Sequence, residues 1–108
     1  VVEKERNIAF DVRSQLPEGF IPYDCPLSFE VLFVFPLLSS MKKSVRQAIE
    51  DGVIVYKPTK PDLQDNLMKI LADSMNGIVF VDDSRICKVS SQKIYGLIPR
   101  TEVIIKPL

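Results

Sequence analysis

The chain has no histidine and only two cysteines, Cys25 and Cys87, which stand far apart and lack metal-ligand spacing. Those scarcities argue against a zinc site of the Cys/His kind and exclude any nucleophile–histidine catalytic pair. Each cysteine reads instead as a small, partly buried hydrophobe of a reducing compartment. Net charge is absent too, at +0 from 14 basic and 14 acidic residues, so the overall basic excess of many nucleic-acid binders is missing. No apolar run reaches the length of a membrane span; the longest, residues 29 to 38, is interrupted by Glu30 and Pro36. No signal-peptide pattern, internal repeat, low-complexity tract or interdomain linker is visible. What remains is 108 residues, 46% hydrophobic and 26% charged, the composition of one ordinary globular domain with one core, read here as spanning 1–108. The first residue is Val1, not Met, and the expectation is that upstream residues are missing.

The zero net charge hides an uneven distribution. Between Asp62 and Asp83 lie five acids, Asp62, Asp65, Asp73, Asp82 and Asp83, and one base, Lys69; outside that window thirteen bases face nine acids, a net +4. Lys42, Lys43 and Arg46 share one segment, Lys57 and Lys60 precede the acids, and Arg85 and Lys88 follow them. These seven are the candidate phosphate contacts, because an acidic centre flanked by bases suits a metal-dependent enzyme acting on a phosphodiester backbone; the alternative is that they are a solvated surface.

Residues 3 to 15 have helix-forming composition and stop near Pro17 and Gly19. Residues 27 to 35 predict the clearest strand, with Phe29, Val31, Phe33 and Phe35 on one face. Ser39 or Ser40 is expected to cap a helix through Asp51, with Gly52 as its stop, and residues 53 to 56 a short strand. Leu63, Leu67, Ile70, Leu71 and Ser74 give residues 62 to 76 a helical core stripe, opposite a polar one of Asp62, Asp65 or Asn66, Lys69 and Asp73. Gly77 is expected in a left-handed cap, followed by a buried strand over 78 to 81. Residues 85 to 95 and 101 to 106 predict two strands of an antiparallel hairpin. This order implies an α+β fold, one small mixed sheet with helices packed on it.

Asp62 and Asp65, three apart at a helix start, share one face. Asp82 and Asp83 follow a strand, so one of them is expected to point toward the same place. Three carboxylates without histidine favour Mg²⁺ or Mn²⁺ over zinc. The plainer reading makes the first pair helix-start acids and the second turn residues.

The run PDLQDNLMKILADSMNGIVFVDDSRI resembles the signature of the RusA family of Holliday junction resolvases, which pairs D-x-D-N-L-x-K with a downstream D-D-[SA]-x-[IV]. The strand from residue 27, the basic segment after it and the tail QKIYGLIPRTEVII resemble the family as well, so the likeness covers roughly residues 27 to 106. The family's first strand is not evident before residue 27. The resemblance implies a RusA-like homodimer, cytoplasmic and bacterial or phage-encoded, that nicks four-way DNA junctions in pairs, in recombination and repair. It implies a metal site of Asp62, Asp65 and Asp83, with Mg²⁺ (or Mn²⁺) activating a water toward phosphorus. Lys69 then stabilises the transition state or binds a phosphate, unless it only pairs with Asp65 or Asp73; Asn66 and Asp82 support the site acids. One departure stands out. Two residues, Leu63 and Gln64, separate the first two acids where the family has one, so either a local bulge returns Asp62 to the metal or Asp62 is only a cap. Alternatives to the resolvase reading are a flap or fork endonuclease and a non-catalytic junction-binding dimer.

Overall fold

The computed structural model describes the backbone of residues 2–108, and side chains from Glu5 onward. Helix α1 spans Val2–Gln15, strand β1 Leu27–Phe35, helix α2 Lys43–Glu50, strand β2 Val55–Tyr56, helix α3 Lys69–Met75, strand β3 Ile86–Tyr95 and strand β4 Arg100–Pro107. A π-helical turn, Leu63–Met68, leads directly into α3, and a 3₁₀ turn, Asp83–Arg85, leads into β3. The fold is thus α+β, as the sequence implies, with one mixed sheet in the order β2-β3-β1-β4.

Strand β1 is central because it can be buried on both edges and on one whole face. Its aromatic and β-branched residues suit a pleated strand, and Leu27, Phe29, Val31 and Phe33 are all buried. These four meet Leu71 and Met75 of α3 and Val79 and Phe80 of the following turn, while Ile8 and Val12 of α1 and Leu16 just after it close the cluster. Phe29 and Phe80, both fully buried, meet edge to face with centroids 6.2 Å apart. Phe29 and Phe33 are therefore buried inside one chain.

Strand β1 runs parallel to β3 and antiparallel to β4. The expected hairpin of the last two strands is consequently a split one: β1 lies between its arms, and the link from Gly96 to Pro99 crosses the end of β1. Gly96 marks that crossing. Its N–H donates to the Phe35 carbonyl at 2.9 Å, and a Cβ there would overlap the side chain of Val34.

Several local expectations are corrected. Helix α2 starts at Lys43 behind Lys42, with no side-chain cap from Ser39 or Ser40; Gly52, at φ 93°, does end it. Only Val55 and Tyr56 of the 53 to 56 segment pair, with Tyr95 and Ile94. Residues 78 to 81 form no strand. Gly77, at φ 76°, turns the chain so tightly that Phe80 makes isolated bridges to Asn76 and Tyr23, and Val79 and Phe80 are buried in a turn while Val81 is exposed.

Candidate active site

The chain enters the acidic window through a loop held from the sheet. Lys93, on β3 beside Phe33, donates from Nζ to the carbonyl oxygens of Thr59 at 2.6 Å and Pro61 at 2.8 Å. Asp62 follows with extended backbone, φ −66° and ψ 137°, and the Leu67 N–H donates to its carbonyl at 3.1 Å. That bond closes a ring of i→i+5 type, which holds one residue more than an α turn. The longer Asp62-Leu63-Gln64-Asp65 spacing is taken up there. Although Asp62 occupies the cap position, its carboxylate makes no capping hydrogen bond, so the simple cap reading does not describe it.

Asp62, Leu63, Gln64, Asp65 and Lys93 line one open cleft of about 320 Å³. Both carboxylates are exposed, as is Asn66 on the same turn. A larger hollow of about 820 Å³ lies between α1, α3 and the sheet, but it is mainly apolar and holds none of Asp62, Asp65 or Asp83. The small polar cleft is the one that holds Asp62 and Asp65. Lys93 escaped the sequence reading because an isolated strand lysine reads as solvent-facing; its parity with buried Tyr95, two residues on, was the available signal.

Asp83 occupies a different place. Half-buried, it opens the 3₁₀ turn ahead of β3, and that turn packs against α3. From Ile86, just past this turn, to Lys93 at the cleft is about 23 Å along the strand, at ~3.3 Å per residue. The two acid groups therefore stand toward opposite ends of β3, and among the described residues no three acids are arranged to hold a metal ion. The expected convergence of Asp62, Asp65 and Asp83 is not met within one chain.

The Asp83 turn is fixed by its neighbours. Asp82 accepts from the Ser84 N–H at 3.0 Å, and the Ser84 hydrogen bonds, aided by Arg85, hold its carboxyl below the ordinary range. Arg85 donates from Nε to Asp24 at 2.7 Å, a pairing that raises the guanidinium's already high pKa. Asp82 is thus a support of the turn.

The basic residues divide in two. Lys42, Lys43, Lys60 and Lys88 are exposed. Arg46 instead donates to the carbonyls of Leu38 and Met41, Arg85 is occupied by Asp24, and Lys57 lies 5.3 Å from the ring centroids of both Phe35 and Tyr95. Three of the seven candidate phosphate contacts are therefore engaged within the fold. Lys69 is exposed at the start of α3 and, among the described residues, forms no ion pair with Asp65 or Asp73.

The fold and cleft define a small α+β protein with an acid-lined site among bases, and comparison with known proteins says of which kind. The family model described as Endodeoxyribonuclease RusA matches residues 3–106, and the chain belongs to that family of DNA-cleaving hydrolases. It is also similar to the uncharacterized protein YqaN of Bacillus subtilis (strain 168), at 30% identity over 102 residues, covering 94% of this chain and 70% of the relative. No solved structure matches. RusA nucleases generally depend on a divalent metal; Asp62 and Asp65 offer the oxygen donors a hard cation prefers, but one chain does not assemble a three-carboxylate set. Among the described residues no helix is long and apolar enough to cross a membrane.

Proposed function

We propose that this protein is a structure-specific endodeoxyribonuclease that resolves Holliday junctions by paired symmetric nicks, in DNA recombination and repair. The observation that carries the reading is one exposed cleft beside Lys93 that holds both Asp65, which resembles the family's acidic pattern, and Asp62, which stands one residue out of it. Among the described residues, Asp62 makes no side-chain cap and neither carboxylate forms an ion pair. Exposed Lys42, Lys43, Lys60 and Lys88 supply charge for phosphates, with recognition of backbone and shape in preference to base edges. Lys69, following the Asp65 turn, is the cation proposed to meet the developing charge on the scissile phosphate.

Two symmetric nicks call for two equivalent sites, which a C2 homodimer provides with one site per subunit. Mg²⁺, with Mn²⁺ as substitute, is the proposed cofactor because the donors are all oxygen. The separation of Asp83 from the cleft favours one competing reading, a junction-binding dimer without nuclease activity.

The decisive experiment is incubation of a mobile four-way junction with Mg²⁺, Mn²⁺, Ca²⁺ or no divalent ion, beside flap, fork and linear duplex substrates. Paired nicks in the junction with Mg²⁺ or Mn²⁺ are expected. Preferred cutting of flaps or forks would reassign the substrate, equal cutting of linear duplex would count against a junction enzyme, and junction binding without nicking would establish the non-catalytic reading.

A further inference from the structure

Lys93 sits where a strand would ordinarily place an apolar residue. It pairs laterally with buried Phe33, and the next residue on its own face, Tyr95, is buried as well. A half-buried ammonium is tolerated there only because its N–H groups are satisfied, and the groups that satisfy it are the carbonyls of Thr59 and Pro61. Lys57 adds to the same anchorage. Its Nζ donates to Thr59 Oγ1 at 2.9 Å, and its backbone N–H donates to the Lys93 carbonyl at 3.0 Å. Two charged donors thus converge on the loop from Thr59 to Pro61, whose next residue is Asp62. Hydrogen bonds from a charged donor are stronger than neutral ones, so this loop is fixed more firmly than its exposure suggests. Lys93 also borders the cleft itself, yet forms no ion pair with Asp62 or Asp65.

We infer that Lys93 is a positioning residue of the nuclease site: through the Thr59 and Pro61 carbonyls it sets the point at which the chain enters Asp62, and so holds the Asp62 carboxylate in the cleft beside Asp65. The activity consequence rests on the endonuclease reading above; the anchorage does not. Displacing a catalytic group by about 1 Å costs on the order of 100-fold in rate, so removing the anchor should lower turnover without weakening the grip on DNA.

The test compares wild type, Lys93→Met and Lys93→Arg in three measurements. These are junction nicking at saturating substrate, junction affinity without turnover, and amide hydrogen exchange of Leu67, whose N–H bonds to the Asp62 carbonyl. Lys93→Met should lower turnover about 10- to 100-fold, leave junction affinity within about twofold and speed Leu67 exchange about tenfold. Lys93→Arg, which can donate to both carbonyls, should recover most of the rate and the protection. Unchanged turnover and unchanged Leu67 exchange in Lys93→Met would overturn the inference. So would weakened affinity with turnover intact, the mark of a direct interaction with phosphate. Should Lys93→Met not fold, Lys93→Gln, whose shorter, uncharged amide donates more weakly, takes its place, with changes of the same sign and smaller size expected. If the wild-type protein nicks no branched substrate, it is the endonuclease reading that fails, and Leu67 exchange alone then decides the role of Lys93.

Discussion

The Leu67 N–H donates to the carbonyl of Asp62 at 3.1 Å, five residues back, where an α-helix would reach only four. A π turn of this kind is the least disruptive way for a helix to carry one surplus residue, because the excess stays in a single wide turn and α3 resumes at Lys69. Deleting Gln64, an exposed member of that turn, should let residues 63 to 68 close as an ordinary α turn. The expected outcome is a folded protein with retained or raised thermal midpoint and retained nicking, measured by circular dichroism and the junction assay. Unfolding on deletion would show that the wide turn is a requirement of the fold.

The separation of Asp83 from the Asp62 and Asp65 cleft makes separate tests of the two acid groups informative. Asp65→Asn should reduce nicking roughly 100-fold or more, the scale for loss of an electrostatic group at a reacting phosphate, and Asp83→Asn should match it if a second subunit brings Asp83 to the cleft. Junction affinity should hold or rise, since a negative charge leaves a phosphate-binding surface. Near-normal cleavage by Asp83→Asn alone would remove that residue from the site and leave the cleft at Lys93 as the whole of it.

How much of this was legible beforehand depended on whether a pattern has one structural solution. The alternation of residues 27 to 35 permits only a half-buried strand, and β1 is one. The stripe from Leu63 to Ser74 demands a helical segment but cannot report a single π turn within it, since Leu63, Leu67 and Ile70 are partly buried in either geometry. Sequential strands usually pair directly, and that rule fails for β3 and β4 because β1, a distant and more apolar segment, takes the place between them. At the site, the acids Asp62 and Asp65 were readable as neighbours on one turn, one residue further apart than in the family pattern they resemble. The role of Lys93 was not, because it acts on backbone carbonyls, which carry no sequence signature.

Lys42 and Lys43 are exposed where α2 begins, unlike Arg46 and Arg85, which are occupied by groups of their own chain. Neutralising both lysines to Gln should therefore weaken junction binding and reduce the slope of log affinity against log salt by about 0.9 for each phosphate that is no longer neutralised. Arg85→Gln should instead act on the turn that carries Asp83. Filter binding across a salt series separates the two: an unchanged slope in the double lysine variant would place the DNA elsewhere.

Asp82 offers a pH-dependent handle on the same turn. Hydrogen bonds from Ser84, and secondarily the charge of Arg85, hold its carboxyl lower in the folded protein than in the unfolded chain. A group depressed in this way contributes stability that is present above the unfolded pKa, near 3.9, and is lost as pH falls through the lower folded value. Asp82→Ala should accordingly be less stable than wild type at pH 7, with the gap closing below about pH 4. Urea midpoints at the two pH values check this, and a gap that persists in acid would show that Asp82 acts through packing.

Gly96 is where the split hairpin is tightest. The link it opens must cross the end of β1, its N–H is committed to the Phe35 carbonyl, and any side chain would run into Val34, itself only 6% exposed. Because Val34 is hemmed in by the strands on either side of it, the overlap cannot be relieved by turning an exposed side chain away. Gly96→Ala should destabilise the protein by about 1–3 kcal/mol, the usual cost of overpacking, and Val34→Ala in the same chain should recover part of that loss by making room for the new methyl. A denaturant double-mutant cycle measures both, and additive losses would mean that the two positions do not compete for the same space.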